Sequence, residues 1–337
     1  MESKKHSIQI NNGERTLSAP AGDSLLSVLF KNGILVPSAC GGNGRCGFCR
    51  VNITEGAPDF TDSERSLISE TDRLDHVRLS CQIRVGSDLK IELPASTLKA
   101  KHFSGILEEK SPLTSDIVGL YIRLVNPEEI VFVSGQYVQL RSPMYNGRES
   151  SIRAYSIASP PSDKNHIELN VRFVPNGICS TWVFQHLQVG QKINLTGPYG
   201  DFHLSESSAP AIFIAGGSGM APFHSILRDM AERKIRREVS YFFGARTQAD
   251  LFYTDKLNRF RQENPWFRFI PALSNEPENS DWKGERGLIT DVVARHFPDC
   301  SKHEAYLCGS PGMIDSCLNV LTRGGMPKDK IYYDKFA

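Results

Sequence analysis

Hydrophobic and polar positions along the 337-residue chain follow three successive patterns. From the start to about Pro94, short alternating runs surround one amphipathic stretch at about residues 24–31, which predicts a small α+β domain. From about Phe103 to Ser205, short strand patterns are separated by Pro, Gly and Asn turns. This second pattern predicts an antiparallel β-barrel or a sandwich.

In the third pattern, from about Ala209 to the end, strands alternate with helices. Ala211–Ala215 is continuously apolar, as expected for a buried parallel strand, and the helical pattern Pro222–Arg233 follows it. The alternation predicts a doubly wound α/β domain. We therefore expect three domains, over residues 1–95, 103–206 and 207–337, with a polar linker at 95–102.

Local signals refine these patterns. Thr61 and Glu64 have capping-box spacing and predict the start of a short helix. Asp23 is expected to cap the helix at residues 24–31. Leu79–Val85 predicts a strand. A free apolar end usually frays, which is the alternative to any specific role for the last residues.

Composition excludes several classes of function. The chain has 39 Lys and Arg against 38 Asp and Glu, a net charge of +1, so neither nucleic-acid binding nor attraction to anionic membranes is indicated. It shows no secretory signal and no apolar stretch long enough to span a bilayer. We expect a cytoplasmic protein without a transmembrane segment, in which the eight cysteines are reduced thiols.

Four of the eight cysteines predict a metal centre. Three of them share one loop with four glycines, and the fourth comes much later; the loop cysteines are Cys40, Cys46 and Cys49, the glycines are Gly41, Gly42, Gly44 and Gly47, and the remote cysteine is Cys81. A [2Fe–2S] cluster needs four thiolates, with backbone N–H donors and little steric bulk around its sulfides, which glycines allow. The alternative is zinc, but zinc ribbons usually present two C-x2-C pairs, and this chain has one.

This segment resembles chloroplast-type ferredoxins over most of residues 7–94, including Arg78-Leu-Ser-Cys81-Gln. Five residues separate the first two cysteines, one more than in the plant-type spacing. The longer gap is most similar to the iron–sulfur and flavin subunit of Na+-translocating NADH:quinone reductases. Those relatives carry an N-terminal membrane helix that is not found in this sequence.

A strand pattern in the middle segment predicts a flavin site. In Arg153-Ala-Tyr155-Ser156, the Arg side chain suits the flavin phosphates, the Tyr ring suits the face of the isoalloxazine, and the Ser hydroxyl suits its N5 atom. An ordinary strand is the alternative, because four-residue patterns recur by chance.

Downstream, a turn precedes the apolar helical stretch Trp182–Leu187. The N–H groups at a helix start suit a pyrophosphate, which indicates FAD rather than FMN. The candidate residues of this turn are Gly177, Ser180 and Thr181.

Two turns in the third segment predict a nicotinamide nucleotide site. After the strand Ala211–Ala215 comes a glycine-rich turn that opens a helix, where a pyrophosphate can approach the backbone; its candidate residues are Gly216, Gly217, Gly219 and Pro222. A later strand ends in a second turn, whose candidate residues are Cys308, Gly309 and Pro311. Either turn alone also fits a simple strand–helix connection.

The end of another strand suggests how the adenosine is bound. Asp250 can accept a hydrogen bond from a ribose 2′-hydroxyl, which favours NADH. Arg246 suits a 2′-phosphate instead, and would favour NADPH. The wider stretch, residues 241–253, is similar to that of NADH-using enzymes, and we expect NADH.

Residues 103–337 as a whole resemble the ferredoxin–NADP reductase superfamily. The resemblance implies that the Arg-x-Tyr-Ser residues bind FAD and that the Cys-Gly-x-Pro motif at Cys308 places the nicotinamide near flavin N5. Ser156 and Cys308 are then the side chains nearest the reaction. Phe336 is expected to stack on FAD, and Asp334 to help order the site.

Together these motifs predict an NADH-dependent oxidoreductase. NADH gives up two electrons at once and an iron–sulfur cluster accepts one, whereas a flavin exchanges either number. The expected acceptor is a partner protein, the terminal component of an oxygenase, because soluble three-domain reductases of this order serve such systems. The alternatives are a quinone- or respiratory-linked reductase, a pure electron carrier or redox sensor, and a zinc-stabilised interaction domain fused to a flavin enzyme.

Overall fold

The computed structural model describes residues 4–335, which form two compact units. The first unit holds the residues up to Ser104 together with Val138–Ala154 and Asn194–Tyr199. The second unit holds Gly105–Tyr137, Tyr155–Ile193 and the residues from Gly200 onward. Phe336 lies outside the described residues.

A five-stranded sheet of order β2-β1-β5-β3-β4 forms most of the first unit. Its strands are β1 (Lys5–Ile10), β2 (Arg15–Pro20), β3 (Arg50–Glu55), β4 (Val77–Leu79) and β5 (Leu89–Glu92), and the helices beside them are α1 (Leu25–Lys31), α2 (Asp62–Leu67) and α3 (Glu70–Leu74). The predicted α+β domain is confirmed. Ser24, rather than Asp23, precedes the first turn of α1.

Two helix and strand ends in this unit differ from the sequence-based expectation. The strand expected over Leu79–Val85 ends at Leu79, because residues 80–82 form a turn closed by the hydrogen bond from Gln82 N to Leu79 O at 2.8 Å. The expected linker at 95–102 instead contains α4 (Ala95–Lys99) and the first residues of the next strand.

The capping box at Thr61 is present, and it leads into a buried ion pair. Glu64 accepts hydrogen bonds from Nε and Nη2 of Arg78, at 2.9 and 3.0 Å, and from the backbone N–H of Leu79 at 3.0 Å. Both side chains are buried. These contacts fix β4 two residues before Cys81.

The middle strands form a second sheet of order β10-β7-β6-β11-β8-β9. They are β6 (Lys101–Pro112), β7 (Ile117–Asn126), β8 (Tyr137–Arg141), β9 (Ile152–Ser156), β10 (His166–Arg172) and β11 (Lys192–Tyr199), and α5 (Ile178–Gln185) lies between β10 and β11 in the chain. β7 and β10 are antiparallel, and an antiparallel bridge from Ile157 to Leu169 connects the chain after β9 to β10. The sheet is barrel-like, as predicted.

The third sheet has the order β15-β14-β13-β12-β16-β17, and all its neighbouring strands are parallel. The strands are β12 (Ala211–Gly216), β13 (Val239–Ala245), β14 (Phe267–Leu273), β15 (Glu285–Arg286), β16 (Glu304–Gly309) and β17 (Ile331–Lys335), and the helices are α6 (Met220–Glu232), α7 (Thr254–Glu263), α8 (Ile289–His296) and α9 (Pro311–Arg323). Alternate residues of β12 enter two different apolar cores, one on each face of the sheet. The doubly wound domain is confirmed.

The last described residues of the chain are ordered in the sheet. Residues 331–335 form β17, which pairs with β16 at the edge of the sheet. Ile331 is buried in the core, and the ring of Tyr332 stacks on that of Tyr306 with the centroids 4.9 Å apart. Apolar contact therefore holds this end in the sheet. None of the helices described within residues 4–335 is long and apolar enough to cross a membrane.

We predict that Glu64→Ala loosens the chain around Cys81. The substitution leaves the Arg78 guanidinium buried without its carboxylate, and breaking a buried pair in this way costs about 3–5 kcal/mol. Amide hydrogen exchange at Leu79 and Ser80 measures this local stability. Glu70→Ala, at an exposed position of α3, is the control. Equal exchange in the two variants would contradict a stabilising role for the pair.

Candidate cofactor sites

The four predicted cluster cysteines come together in the structure as two pairs. The Sγ atoms of Cys40 and Cys46 are 3.4 Å apart, and the thiols of Cys49 and Cys81 are within hydrogen-bonding distance of each other. In a two-iron cluster with two bridging sulfides, each tetrahedral iron takes two protein thiolates. The paired arrangement fits that requirement. Within residues 4–335, no three His, Cys, Asp or Glu side chains form a site for a single metal ion.

The surroundings lower the pKa of two of the four cysteines, whereas burial raises the pKa of Cys46, and the hydrogen bond with Cys81 together with burial raises that of Cys49. Burial raises the pKa of Cys40, but hydrogen bonds from the backbone N–H groups of Arg45, Cys46 and Asn43 outweigh it, and the pKa lies below its ordinary value. Hydrogen bonds from Cys49, the Gln82 side chain and the Gly44 amide lower the pKa of Cys81 to about 6 despite its burial. Amides that stabilise thiolates in this way suit a negatively charged cluster.

The glycines of the loop let those amides face the sulfurs. Gly41, Gly42, Gly44 and Gly47 have φ values of 67°, 89°, 65° and 70°, in the left-handed region that favours glycine. A Cβ at Gly44 would also lie 2.6 Å from Nε2 of Gln82, which donates to Cys81 Sγ. A side chain at position 44 would therefore displace a group that donates to the predicted ligand Cys81.

The turn at residues 80–82 brings the remote cysteine to the loop. The backbone N–H and the hydroxyl of Ser80 both donate to the carbonyl of Cys49, at 2.8 and 3.0 Å. Ser80 is fully buried. A turn rather than the expected strand therefore places Cys81 beside Cys49.

The flavin strand predicted from sequence is β9, and Arg153 lies on it within the first unit. Its Nη1 donates to the carbonyl of Ile152 at 2.7 Å, to Ser151 Oγ at 3.1 Å and to the carbonyl of Ala39 at 3.3 Å. Ala39 immediately precedes Cys40. Arg153 therefore connects the strand with the flavin motif to the cysteine loop.

Tyr155 lies on the same strand and approaches the start of α5, because its hydroxyl is 3.8 Å from Cys179 Sγ. The helix begins at Ile178, earlier than the predicted stretch, with Gly177 as its N-cap. A Cβ at Gly177 would lie 2.6 Å from Ser180 Oγ. That hydroxyl accepts a hydrogen bond from the Val174 N–H at 3.1 Å, so Ser180 stabilises the turn that precedes α5.

Thr181 is half-buried in the first turn of α5. The Tyr side chain of the predicted motif and the predicted helix start thus lie side by side, as a flavin site requires. Both belong to the second unit.

Ser156 and Cys308, the two candidate catalytic residues, both lie next to Asp334. In the parallel register of β16 and β17, Asp334 is the partner of Cys308. Burial raises the pKa of Asp334 to about 6, although the nearby Ser156 hydroxyl lowers it somewhat. Burial, and then the charge of Asp334, raise the pKa of the Cys308 thiol far above its usual value. Cys308 is therefore a neutral thiol.

Ser156 is buried, and its Oγ has no hydrogen-bond partner of normal geometry among residues 4–335. A buried hydroxyl without a partner is costly, and a polar atom of a bound group would satisfy it. This fits the expected position of the flavin N5 atom. The residues present in the barrel thus fit a flavin.

The two glycine turns after β12 and β16 pack closely together. A Cβ at Gly219 would lie 2.2 Å from the carbonyl oxygen of Cys308. A Cβ at Gly216 or Gly309 would lie 2.9 or 2.6 Å from the Met313 side chain. Both turns lie at the carboxyl ends of neighbouring strands, where the strand order reverses and such folds bind ligands.

A cavity of about 330 Å³ opens beside these turns. Four residues predicted from sequence line it, namely Gly216, Gly217, Arg246 and Asp250. Gly219, Pro222 and Cys308 are buried, and Gly309 and Pro311 belong to the second turn, at the end of β16 and the start of α9. Oδ2 of Asp250 accepts from the N–H and hydroxyl of Thr247 at 2.9 and 3.0 Å, so one oxygen is already in use.

Sequence reasoning missed several residues that line this cavity. They are Asp116, Ile117, Arg172, Ser274, Leu288, Ile289, Ser310 and Met313. Ser310 and Met313 adjoin the second predicted turn and were within reach of a motif search. The others come from distant parts of the chain, and no local pattern marks them.

Comparison with known families matches each part of the chain. A 2Fe-2S iron-sulfur cluster binding domain matches residues 8–86, an oxidoreductase FAD-binding domain matches 104–204, and an oxidoreductase NAD-binding domain matches 213–318. The F subunit of the Na+-translocating NADH-quinone reductase of Serratia proteamaculans is 33% identical, over 96% of this chain and 89% of the relative. Its counterpart from Pseudomonas aeruginosa PAO1 is 33% identical over 98% and 90%.

The chain belongs to the family of the Na+-translocating NADH-quinone reductase F subunits, within the ferredoxin–NADP reductase superfamily. Solved structures agree with this placement. The cytochrome P450 reductase GcoB of Amycolatopsis superposes with a TM-score of 0.79 at 29% identity, over 98% of each chain. The ferredoxin reductase of carbazole 1,9a-dioxygenase superposes with a TM-score of 0.73 at 26% identity, over 99% of each.

Family membership establishes the cofactors. The chain is an oxidoreductase of the NADH, flavin and [2Fe–2S] electron-transfer type, with FAD- and NAD-binding domains as predicted. The assignment of individual side chains to each cofactor stays a prediction.

We predict that Gly219→Ala impairs binding of the dinucleotide. The added methyl group overlaps the Cys308 carbonyl, and relieving such overpacking costs about 1–3 kcal/mol and moves the two turns apart. The φ of Gly219 is −61°, so the effect is steric and not a backbone strain. The dissociation constant of NAD+ should rise. Gly312→Ala, in open space on α9, is the matched control and should bind NAD+ normally.

A second prediction concerns the pH dependence of stability. Because the pKa of Asp334 is about 6 in the folded protein and near its ordinary value of 3.8 when unfolded, its ionised form destabilises the fold. Asp334→Asn should therefore raise the melting temperature above pH 7. The gain should shrink as the pH falls through about 6 toward 4.

Melting followed by flavin fluorescence from pH 5 to 8 tests this expectation. Asp315→Asn replaces an exposed carboxylate on α9 and should show no such trend. A gain from Asp334→Asn that is the same at every pH would contradict the raised pKa.

Proposed function

We propose that this reductase delivers electrons singly to the terminal component of an oxygenase. The observation that carries the proposal is the unequal burial of the cysteine loop. Cys49 and Cys81 are buried, whereas Cys40 and Cys46 are half-buried and Gly41, Asn43 and Arg45 between them are exposed. A docked protein can approach the cluster on that side. Two oxygenase-system reductases also match the full length of the chain in structure.

The residues of the chain divide the work between binding and positioning. We assign Cys40, Cys46, Cys49 and Cys81 to the cluster, and the Arg153-x-Tyr155-Ser156 strand with the start of α5 to FAD. The flavin, when bound, converts the two-electron chemistry of NADH into single-electron transfer. We assign to the buried Ser156 and Cys308, with the half-buried Asp334 beside them, the role of limiting the access of water to the reacting atoms, and Ser156 supplies one hydroxyl donor.

The donor side of the reaction is proposed to use NADH. The cavity beside Gly216 and Gly217 has an acidic side chain, Asp250, at the end of β13, where a ribose 2′-hydroxyl fits. The other carboxylate oxygen of Asp250, which accepts no hydrogen bond within residues 4–335, can accept from that hydroxyl. We place the reaction in the cytoplasm, where NADH is available and the eight free cysteines stay reduced.

A second candidate is a quinone-linked reductase. The observation that favours it is the 33% identity to a subunit named for NADH-quinone reductase. In that case electrons leave toward a respiratory complex rather than an oxygenase. The cluster would be needed in either case, but the acceptor would differ.

We predict that Cys81→Ser separates the two halves of the reaction. Loss of this ligand should abolish the visible and electron paramagnetic resonance signals of the reduced cluster, while NADH still bleaches the flavin. Reduction of cytochrome c, a one-electron protein acceptor, should fall to the rate without enzyme. Cys317→Ala, at a buried thiol on α9, is the control. It should keep the cluster signals, the bleaching of the flavin by NADH and the reduction of cytochrome c.

The same variants discriminate between the two candidate acceptors. For a protein acceptor, the wild type should reduce cytochrome c faster than a short-chain ubiquinone. Faster reduction of the quinone, lost in Cys81→Ser, would support the quinone-linked function instead. A wild-type protein that leaves its flavin oxidised in excess NADH would refute both.

A further inference from the structure

A cavity in the first unit is lined by none of the residues predicted to bind FAD or NADH. Its volume is about 420 Å³, which is within the range of small-molecule sites. All of its lining residues belong to the first unit, and they include Gly41, Gly42 and Cys81 of the cysteine region. Neither the family motifs nor the proposed electron transfer gives this cavity a role.

Part of the lining is apolar and comes from α1 and the residues after it. Leu26 and Phe30 are four residues apart, on one face of α1, and Leu35 and Val36 follow the helix. Leu35 and Val36 are buried, whereas Phe30 is 56% exposed. The Phe30 ring meets His102 edge to face, with the centroids 6.2 Å apart. This part of the lining suits an apolar group, and an exposed ring favours an aromatic one.

Another part of the lining is polar and comes from β8. Gln139 and Arg141 are two residues apart on this strand, so their side chains lie on the same face of the sheet. Gln139 is 5% exposed, and its Nε2 atom has no hydrogen-bond partner within residues 4–335. The same holds for Oγ of Ser38, which also lines the cavity. Unpaired buried donors are costly, and an acceptor on a bound molecule would satisfy them.

The charged side chains that line the cavity are both cationic. They belong to Arg84 and Arg141, and no Asp or Glu among residues 4–335 lines this space. In the part of the chain that the structure describes, neither guanidinium makes an ion pair or a hydrogen bond. Two unpaired guanidinium groups and a buried amide donor therefore line one cavity. Guanidinium groups bind carboxylates through two parallel hydrogen bonds.

The two parts of the lining together select a class of ligand. Inorganic phosphate would pair with the guanidinium groups but would leave the apolar part without a contact. A neutral quinone would contact the apolar part but would leave both positive charges unpaired. An acid with an apolar ring satisfies both parts.

We propose that this cavity binds an aromatic carboxylate, with the carboxylate at Arg84, Arg141 and Gln139 and the ring against Phe30. The inference goes beyond the proposed function and does not depend on which electron acceptor the chain uses. Because Arg84 and Arg141 are exposed and without partners, their substitution should change binding rather than folding.

Isothermal titration calorimetry of the protein with its cofactors bound tests the ligand class. 1-Naphthoate should bind saturably at one site. Its neutral isostere 1-naphthamide should bind at least about tenfold more weakly, because it cannot pair with the guanidinium groups. Octanoate, an aliphatic acid, should also bind more weakly, because it cannot stack on an aromatic ring. Absence of saturable 1-naphthoate binding, equal affinity for the amide, or tighter binding of octanoate would overturn the proposal.

Single substitutions locate the carboxylate. Arg84→Gln and Arg141→Gln should each raise the dissociation constant of 1-naphthoate by about fivefold, a modest factor because water screens both groups. The affinity for 1-naphthamide should stay unchanged. Arg65→Gln is the matched control, since Arg65 is exposed on α2 of the same unit and does not line the cavity. An equal loss in Arg65→Gln would show attraction by net charge alone and contradict a site.

Two further variants test the rest of the lining. Phe30→Ala should weaken both naphthyl ligands by a similar factor of about three to ten. Gln139→Leu should weaken 1-naphthoate, while the melting temperature stays at or above that of the wild type, because the amide that is lost has no partner. Unchanged affinity in both variants would refute the placement. None of these outcomes bears on NADH oxidation or cytochrome c reduction, so the proposed function is tested separately.

Discussion

The parallel hydrogen-bonded register of β12, β16 and β17 is the constraint on which the nucleotide half of the molecule depends. It aligns Ala215 with Cys308 and Cys308 with Asp334. Because parallel strands end at the same edge of a sheet, the turns that follow β12 and β16 meet there. They pack so closely that no side chain fits at Gly219. A slip of one residue in a parallel strand would turn every side chain to the opposite face. Cys308 would then leave the neighbourhood of Ser156 and Asp334, and the site would be lost.

The cysteine loop meets a different requirement. It stabilises negative charge with fixed dipoles rather than with mobile cations. Its donors are backbone N–H groups, the side-chain amide of Gln82 and the thiols of the neighbouring cysteines. The fold fixes the orientation of these dipoles, so they stay in place when a partner protein binds and dissociates. The buried pair of Glu64 and Arg78 supports this arrangement indirectly, because it anchors β4 and the turn that carries Cys81. If Cys81 is a cluster ligand, as predicted, a few residues link the stability of the domain to the cluster site.

Sequence patterns predicted the three domains and most strands, since those depend on local periodicity. They failed where a distant contact decides the structure. Leu79–Val85 has the alternation of a strand, but hydrogen bonds between Ser80 and Cys49, 31 residues away, turn the chain at Leu79. The C-terminal end pairs with β16 because Tyr332 stacks on Tyr306.

Motif residues were also predictable from local sequence, because a turn and the side chains and N–H groups that it presents are close together in the chain. Arg172 had no such signal. Its place beside Gly217 follows from the pairing of β7 with β10 and from the packing of the barrel strands near β12, which no local pattern encodes. The spacing of the cysteines likewise predicted four ligands, but only the fold shows that they form two pairs.

The two cofactor regions also differ in how long their ligand stays. A cluster is resident, and amides fixed in a folded loop suit it because their orientation is set once, when the domain folds. NADH must bind and leave in every turnover, so its phosphates are better met by a group that water also solvates. The predicted turn at Gly216 and Gly217 fits this requirement, since it lines an open cavity and its backbone is already oriented before a ligand arrives.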